Sequence, residues 1–93
     1  MLTLDAVLDI PAHVTYALLD QDAVLLNTQT NQYYTLDEVG ARLWGLLEKE
    51  TRLKNIYQTL LDEYEVEPAQ LEQDILELLN QLVEKGLVEI VQR

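Results

Sequence analysis

Three short runs of mostly apolar and β-forming residues, separated by polar turns, lie between residues 13 and 36, and such runs predict β-strands. The runs cover residues 13–20, 23–27 and 32–36, and the last, QYYTL, is rich in the strand-forming residues Tyr and Thr. The polar turns between them are short, which favours an antiparallel meander. The third predicted strand then lies at a sheet edge, where unpaired backbone groups can bind another chain.

From Asp37 onward the apolar residues recur at helical spacing instead. Asp37 is a good N-cap for a first helix. The predicted buried face of that helix consists of Val39, Leu43, Leu46 and Leu47, with Trp44 on its flank. A second helix is predicted over residues 52–65, with a buried stripe of Leu53, Ile56, Tyr57, Leu60, Leu61 and Tyr64.

A third helix is predicted to begin at Glu67-Pro68, because Pro is favoured in the first turn, and to end at Lys85 before Gly86. Residues 87–91 read as a last short strand or an extended tail, and residues 1–12 as a lead-in that ends near Pro11. The pattern therefore predicts a single α+β domain over residues 1–93, with a three-stranded antiparallel sheet followed by three helices.

The third helix carries an apolar arc of roughly 160°, wider than the roughly 100° that one core contact needs. One stripe of the arc is Leu71, Ile75, Leu78 and Leu82, and the stripe beside it is Leu76, Leu79 and Val83. Either this helix is central and is contacted on two sides, or one of its stripes borders a groove.

Composition and charge exclude several classes of function. The 17 acidic residues outnumber the 6 basic ones, which gives a net charge of -11 that repels nucleic-acid phosphates and anionic lipid. This charge serves solubility or steers a basic partner. The third helix has one basic residue, Lys85, among several acids, so a DNA-binding winged helix is disfavoured.

Catalytic and metal-binding residues are also scarce. The chain has no Cys, no Ser and one histidine, His13, so we expect no metal site, no cofactor and no enzymatic activity of its own. The start of the chain has neither a basic n-region nor an apolar run long enough for a signal peptide or a membrane span. We expect a cytoplasmic protein with no membrane partner.

Two segments, YYTLDEVGARLW and LNQLVEKGLVEI, and the spacing of the elements around them resemble the PqqD-like proteins, the recognition elements for precursors of ribosomally made, modified peptides. The resemblance covers about residues 13–90. It is greatest to the stand-alone leader-binding proteins of lasso-peptide clusters, which also carry a Trp in the first helix, as Trp44 would be here. The usual turn of that family has Gly where this chain has Asn31, and Asn tolerates the left-handed conformation.

The resemblance implies a winged-helix-like fold and an adaptor without catalytic activity. The leader segment of a precursor peptide would add as a strand along the third strand and enter a cleft against the third helix. The partner enzyme would be a leader peptidase or another modifying enzyme. The peptide-binding residues implied are Gln32, Tyr33, Tyr34, Thr35, Leu36, Leu71, Asp74, Ile75, Leu78 and Leu82.

Several of these residues have a plainer interpretation that the sequence leaves open. Tyr34 is either a core tyrosine or a groove wall, Tyr33 packs across the strands on the open face, and Asp74 is either a solvated acid or a clamp for a basic leader residue. For the whole chain, the alternative is a protein–protein interaction module or an accessory subunit of another modifying enzyme. The precursor, the partner enzyme and the oligomeric state are not encoded in these patterns.

Overall fold

The chain forms a three-stranded antiparallel sheet, three helices and a second sheet of two short strands. The computed structural model describes residues 2–91. In chain order its elements are β1 (Val7–Asp9), β2 (Val14–Leu19), β3 (Asp22–Asn27), β4 (Gln32–Leu36), α1 (Glu38–Leu47), α2 (Leu53–Glu63), α3 (Pro68–Glu84) and β5 (Glu89–Val91). The predicted α+β, winged-helix-like arrangement is confirmed. None of the helices in the described part is long and apolar enough to cross a bilayer.

The larger sheet has the order β2-β3-β4, so β4 is the edge strand that the meander predicts. Ala23 pairs with Leu36 and Leu25 pairs with Tyr34, which directs these side chains to the inner face, against the helices. The turn between β3 and β4 ends at Asn31, whose φ of 62° lies in the left-handed region that Asn tolerates. This turn sets the register of the strand on which the rest of the site is built.

Helix α1 follows β4 with almost no loop. The Asp37 carboxylate accepts a hydrogen bond from the Gly40 backbone N–H at 2.9 Å, which confirms the predicted N-cap. The buried face of α1 is rotated by part of a turn from the predicted one. Trp44, predicted on the flank, is 1% exposed, whereas Val39, predicted to be buried, is 38% exposed. The Trp44 indole lies between the helix and the sheet, with its ring 6.3 Å from that of Tyr16.

Helix α3 has a buried centre and two half-buried margins. Leu71, Ile75, Leu79 and Leu82 form its buried line. The two predicted stripes therefore divide differently, because Leu79 belongs to the core and Leu78 lies at a margin. A helix that turns 100° per residue places positions i, i+4, i+8 and i+11 along one line, and this line faces the core.

The lead-in, residues 1–12, contains a strand that the sequence pattern did not predict. β1 pairs with β5 in antiparallel register, with Leu8 opposite Ile90, and the Leu8 side chain is completely buried. The Leu8 N–H donates to the Thr51 carbonyl at 2.8 Å, so this segment also joins the start of α2. A strand of three residues has too short a pattern to detect, and its partner lies at the other end of the sequence. Of the two alternatives for residues 87–91, a short strand or an extended tail, the structure shows the strand, β5.

Asn27 is the buried polar residue that links the sheet to the end of α3. Its Nδ2 donates to the Lys85 carbonyl at 3.1 Å, and its Oδ1 accepts from the N–H groups of Gln29 and Thr30. Gly86 lies beside it with φ of +72°, and a Cβ there would lie 3.1 Å from the Asn27 amide nitrogen. The predicted end of α3 before Gly86 is thus confirmed. Glycine suits this position because it adopts the left-handed conformation without strain and leaves space for the Asn27 amide.

We expect Asn27→Ala to lower the free energy of unfolding by about 1–3 kcal/mol, because the Lys85 carbonyl and two turn N–H groups lose a buried partner. Urea unfolding followed by circular dichroism measures the change. Asn80→Ala is the matched control, because Asn80 is exposed on α3, and its effect should stay within about 0.5 kcal/mol. Equal effects of the two substitutions would contradict the linking role of Asn27.

Candidate functional site

A cleft of about 500 Å³ lies between the edge strand β4 and helix α3. The start of α1 forms one of its sides, and the connection between α2 and α3 forms another. Its lining residues are Tyr34, Thr35, Leu36, Asp37, Val39, Gly40, Leu43, Tyr64, Val66, Gln70, Leu71, Asp74, Ile75 and Leu78.

Seven of the ten peptide-binding residues that the resemblance implies line this cleft. They are Tyr34, Thr35, Leu36, Leu71, Asp74, Ile75 and Leu78. Gln32 and Tyr33 lie beside a separate, shallower hollow with Asn31 and Lys85. Leu82 is buried in the core and does not line the cleft, because it continues the central line of α3 and not its margin.

Tyr34 closes one end of the cleft. Its Oη donates a hydrogen bond to Gln81 Oε1, and the Lys85 ammonium nitrogen lies 5.6 Å from the centre of its ring. Within residues 2–91, this hydrogen bond is the one that joins side chains of β4 and α3. The cleft therefore begins at Tyr34 and runs towards the N-terminal half of α3. The sequence left Tyr34 as either a core tyrosine or a groove wall. In the structure it packs against the core and also lines the cleft.

The floor of the cleft is apolar and buried, whereas its rim is apolar and exposed. Leu36, Leu71 and Ile75 form the floor and are among the core residues. Val39 and Val66 form the rim and are both exposed. Exposed apolar side chains that converge on a concave surface favour the binding of another apolar group.

The sequence patterns missed half of the lining. The missed residues are Asp37, Val39, Gly40, Leu43, Tyr64, Val66 and Gln70. Val66 did carry a usable signal, because it is the one aliphatic residue in the acidic stretch between α2 and α3. Val39 was assigned to the core because helical spacing does not show which margin of a helix meets the sheet.

The surroundings of the cleft are acidic, and no Lys or Arg is among its lining residues. Asp74 is exposed on its wall and accepts a hydrogen bond from Gln70 Nε2 at 2.9 Å. Burial, together with the nearby carboxylates Glu38 and Glu63, raises the pKa of the Tyr64 hydroxyl. An apolar group that carries a positive charge would therefore suit this cleft better than one that carries a negative charge.

The outer edge of β4 adds a second kind of binding group. β4 pairs with β3 on one side, and no strand of the described part pairs with its other side. Every second residue of an edge strand directs its backbone N–H and C=O away from the sheet. An extended segment placed in the cleft would thus have main-chain partners on β4 and side-chain contacts with α3.

Helices α1 and α2 are joined next to this cleft by an ion pair. Arg42 makes two hydrogen bonds to the Glu63 carboxylate, at 2.8 Å from Nε and 2.5 Å from Nη2. The guanidinium holds the pKa of the Glu63 carboxyl below its usual value. Within residues 2–91, no group of three or more His, Asp and Glu side chains could hold a metal ion.

The sequence model of the family described as Coenzyme PQQ synthesis protein D (PqqD) matches residues 22–88. A search of the curated proteins gives no match.

Two solved structures are similar to this chain over nearly their whole length. "TbiB1 in Complex with the TbiA(beta) Leader Peptide" is 37% identical with a TM-score of 0.82, and the match covers 90% of this chain and 98% of that one. "Lasso peptide synthetase B1 complexed with the leader peptide" is 27% identical with a TM-score of 0.70, and the match covers 88% of this chain and 96% of that one.

We expect Arg42→Ala to raise the pKa of Glu63 towards its ordinary value, measured by NMR titration of the side-chain carboxyls. Because the folded-state pKa is depressed, the ion pair stabilises the fold above the unfolded-state pKa, and this contribution is lost as the pH falls through the folded-state value. Glu50 is the internal control, because hydrogen bonds from Arg52 N–H and Asn55 Nδ2 lower its pKa independently of Arg42. If the pKa of the Glu63 carboxyl were the same in Arg42→Ala as in the unsubstituted chain, the ion pair would be absent in solution.

Proposed function

The chain belongs to the PqqD family, and we propose that it is a non-catalytic adaptor that binds the leader segment of a ribosomally made precursor peptide. The bound leader adds as a strand along the free edge of β4 and places side chains in the cleft against α3. The adaptor then presents the precursor to a leader peptidase or another modifying enzyme. Since ribosomes supply the precursor in the cytoplasm, we propose that compartment for the encounter.

The observation that carries this proposal is the coincidence of the free strand edge with the apolar cleft. An edge alone offers backbone hydrogen bonds without discrimination between sequences, and a cleft alone offers side-chain pockets without a direction for the chain. Here Tyr34 and Leu36 of β4 line the same cleft as Leu71 and Leu78 of α3. This geometry suits an extended peptide that anchors a few apolar side chains.

The two similar structures support the same proposal. Both contain a leader peptide, and the lasso peptide synthetase B1 is a protein of lasso-peptide biosynthesis. The match of the family model extends over residues 22–88 and therefore includes both β4 and α3. We therefore propose a lasso-peptide precursor as the ligand.

The residues of the described part support the absence of catalysis by this chain. Its cleft contains carboxylates and tyrosines but no paired nucleophile and base. Asp37 is engaged as the cap of α1, and Asp74 lies on an exposed wall. Binding and orientation of a peptide are what these groups can contribute.

We expect Leu78→Arg to weaken leader binding by about ten-fold or more, because Leu78 is half-buried at the cleft margin and a charged side chain would obstruct the groove. Fluorescence polarisation of the labelled leader, taken from the precursor encoded beside this gene, measures the affinity. Leu78 is a better site for this test than Ile75, because Ile75 is 3% exposed and Ile75→Arg would also disturb the core.

Leu76→Arg is the matched control, since Leu76 is half-buried on the other margin of α3 and does not line the cleft. It should bind the leader within about two-fold of the unsubstituted chain. Equal losses for the two variants, with both folded by circular dichroism, would remove the cleft from the binding site. No saturable binding by the unsubstituted chain would contradict the adaptor function itself.

We also expect Tyr34→Ala to weaken leader binding more than Tyr33→Ala does, by about ten-fold against about two-fold. Tyr34 lines the cleft, whereas Tyr33 is 72% exposed on the opposite face of β4. Isothermal titration calorimetry of both variants against the same leader peptide gives the comparison. The reverse order would place the leader on the opposite face of the sheet.

A further inference from the structure

A hollow of about 510 Å³, here called the polar hollow, lies where β4 begins. Its lining residues are Asn27, Asn31, Gln32, Tyr33, Lys85 and Leu87. The first two residues of β4 line the polar hollow, and the last three line the cleft. An extended peptide on the free edge of β4 would therefore pass from one to the other.

The polar hollow carries the opposite charge to the cleft. Lys85 is the one charged residue that lines it, although the chain has 17 Asp and Glu. The cleft has the reverse composition, with Asp37 and Asp74 but neither Lys nor Arg. Within residues 2–91, Lys85 makes no ion pair, whereas Arg42 is paired with Glu63. An unpaired cation beside a peptide-binding edge therefore suits a negative group on another molecule.

Two amide side chains add hydrogen-bond donors to the Lys85 ammonium group. Asn31 and Gln32 are both exposed at the polar hollow, and in the described residues neither side chain has a hydrogen-bond partner. A carboxylate has two acceptor oxygens, so it can accept from an ammonium group and from an amide at the same time. The donors of the polar hollow thus match a carboxylate.

The backbone around the polar hollow is held in place by buried groups. Asn27 and Leu87 are 3% and 2% exposed, and the Asn27 amide donates to the Lys85 carbonyl. The Lys85 side chain therefore starts from a fixed point, and its ammonium nitrogen lies 5.6 Å from the centre of the Tyr34 ring. A cation that is already positioned loses less conformational freedom when it binds a ligand.

We propose that the polar hollow binds the carboxylate side chain of an Asp or Glu in the leader peptide, with Lys85 as its charge partner and Asn31 and Gln32 as hydrogen-bond donors. This inference rests on the proposed function, because it adds a contact that determines specificity to the same peptide site. Strand residues are about 3.4 Å apart, so a peptide spans about 14 Å between the positions opposite Gln32 and Leu36. The acidic residue should therefore lie about four to six positions from the apolar residue that contacts Leu36.

The test is an exchange of charges between Lys85 and the leader. Lys85→Gln removes the charge of the side chain, and Lys85→Glu reverses it. Each Asp and Glu of the leader encoded beside this gene is also replaced in turn by Lys. Fluorescence polarisation then measures the affinity of every pair at about 0.15 M salt, where the charges of distant exposed groups are largely screened.

Lys54→Glu is the matched control for the change in net charge. Lys54 is exposed on α2 and lines neither the cleft nor the polar hollow. Circular dichroism checks that each variant is folded, because an acidic residue at the C-terminal end of α3 is unfavourable for the helix dipole.

We expect K85Q to weaken leader binding by about three-fold and K85E by about ten-fold, and K54E to leave it within about two-fold. One replacement in the leader should weaken binding to the unsubstituted chain by about ten-fold. The same replacement should restore binding to K85E to within about three-fold of the original pair. A purely structural role of Lys85 would not give this restoration.

Binding of the leader by K85E within two-fold of the unsubstituted chain would overturn the proposal. So would a loss that no replacement in the leader restores, or equal losses for K85E and K54E, which would reflect general repulsion. In all three cases the unsubstituted chain still binds the leader. No saturable binding by the unsubstituted chain would instead contradict the proposed function, so the two failures are distinguishable.

Discussion

The hydrogen bonds of the Asn27 amide fasten the sheet to the end of α3, and the shape of the site depends on this connection. A buried amide must satisfy both its donor and its acceptor, so the turn after β3 and the Lys85 carbonyl can meet in one arrangement only. β4 starts directly after that turn, and Tyr34 reaches Gln81 just beyond it. β4 and α3 are therefore joined at one end and leave a cleft along the rest of their length.

The negative charge of the chain offsets the risk of aggregation that the free edge of β4 creates. A free strand edge next to apolar surfaces is a hazard, because copies of the chain can pair there and aggregate. The net charge of -11, carried without any Lys or Arg over the strands of the larger sheet, opposes such pairing. It leaves the edge available to an extended peptide of another chain.

Local signals in the sequence were enough to predict the elements that border the cleft. Strand 32–36, the Asp37 cap and the end of α3 at Gly86 each depend on a few adjacent residues, and all three are confirmed. The tertiary details were not accessible in this way. β1 is three residues long and pairs across nearly the whole chain. Helical spacing alone did not show which margin of α1 meets the sheet, or that Leu82 lies in the core outside the cleft. Such details are decided by contacts between elements that the sequence pattern does not describe.

The pairing of β1 with β5 has a consequence for the order in which the molecule folds. The two strands are separated by almost the entire sequence, so their pairing carries the largest loop-closure entropy in the structure. During synthesis β1 leaves the ribosome early, yet it has no partner strand until the last residues emerge. The hairpin and the first helix can form from nearby contacts, so we expect the burial of Leu8 under β5 to come last. On this expectation the final step of folding joins β1 to β5, after β4 and α3 have formed.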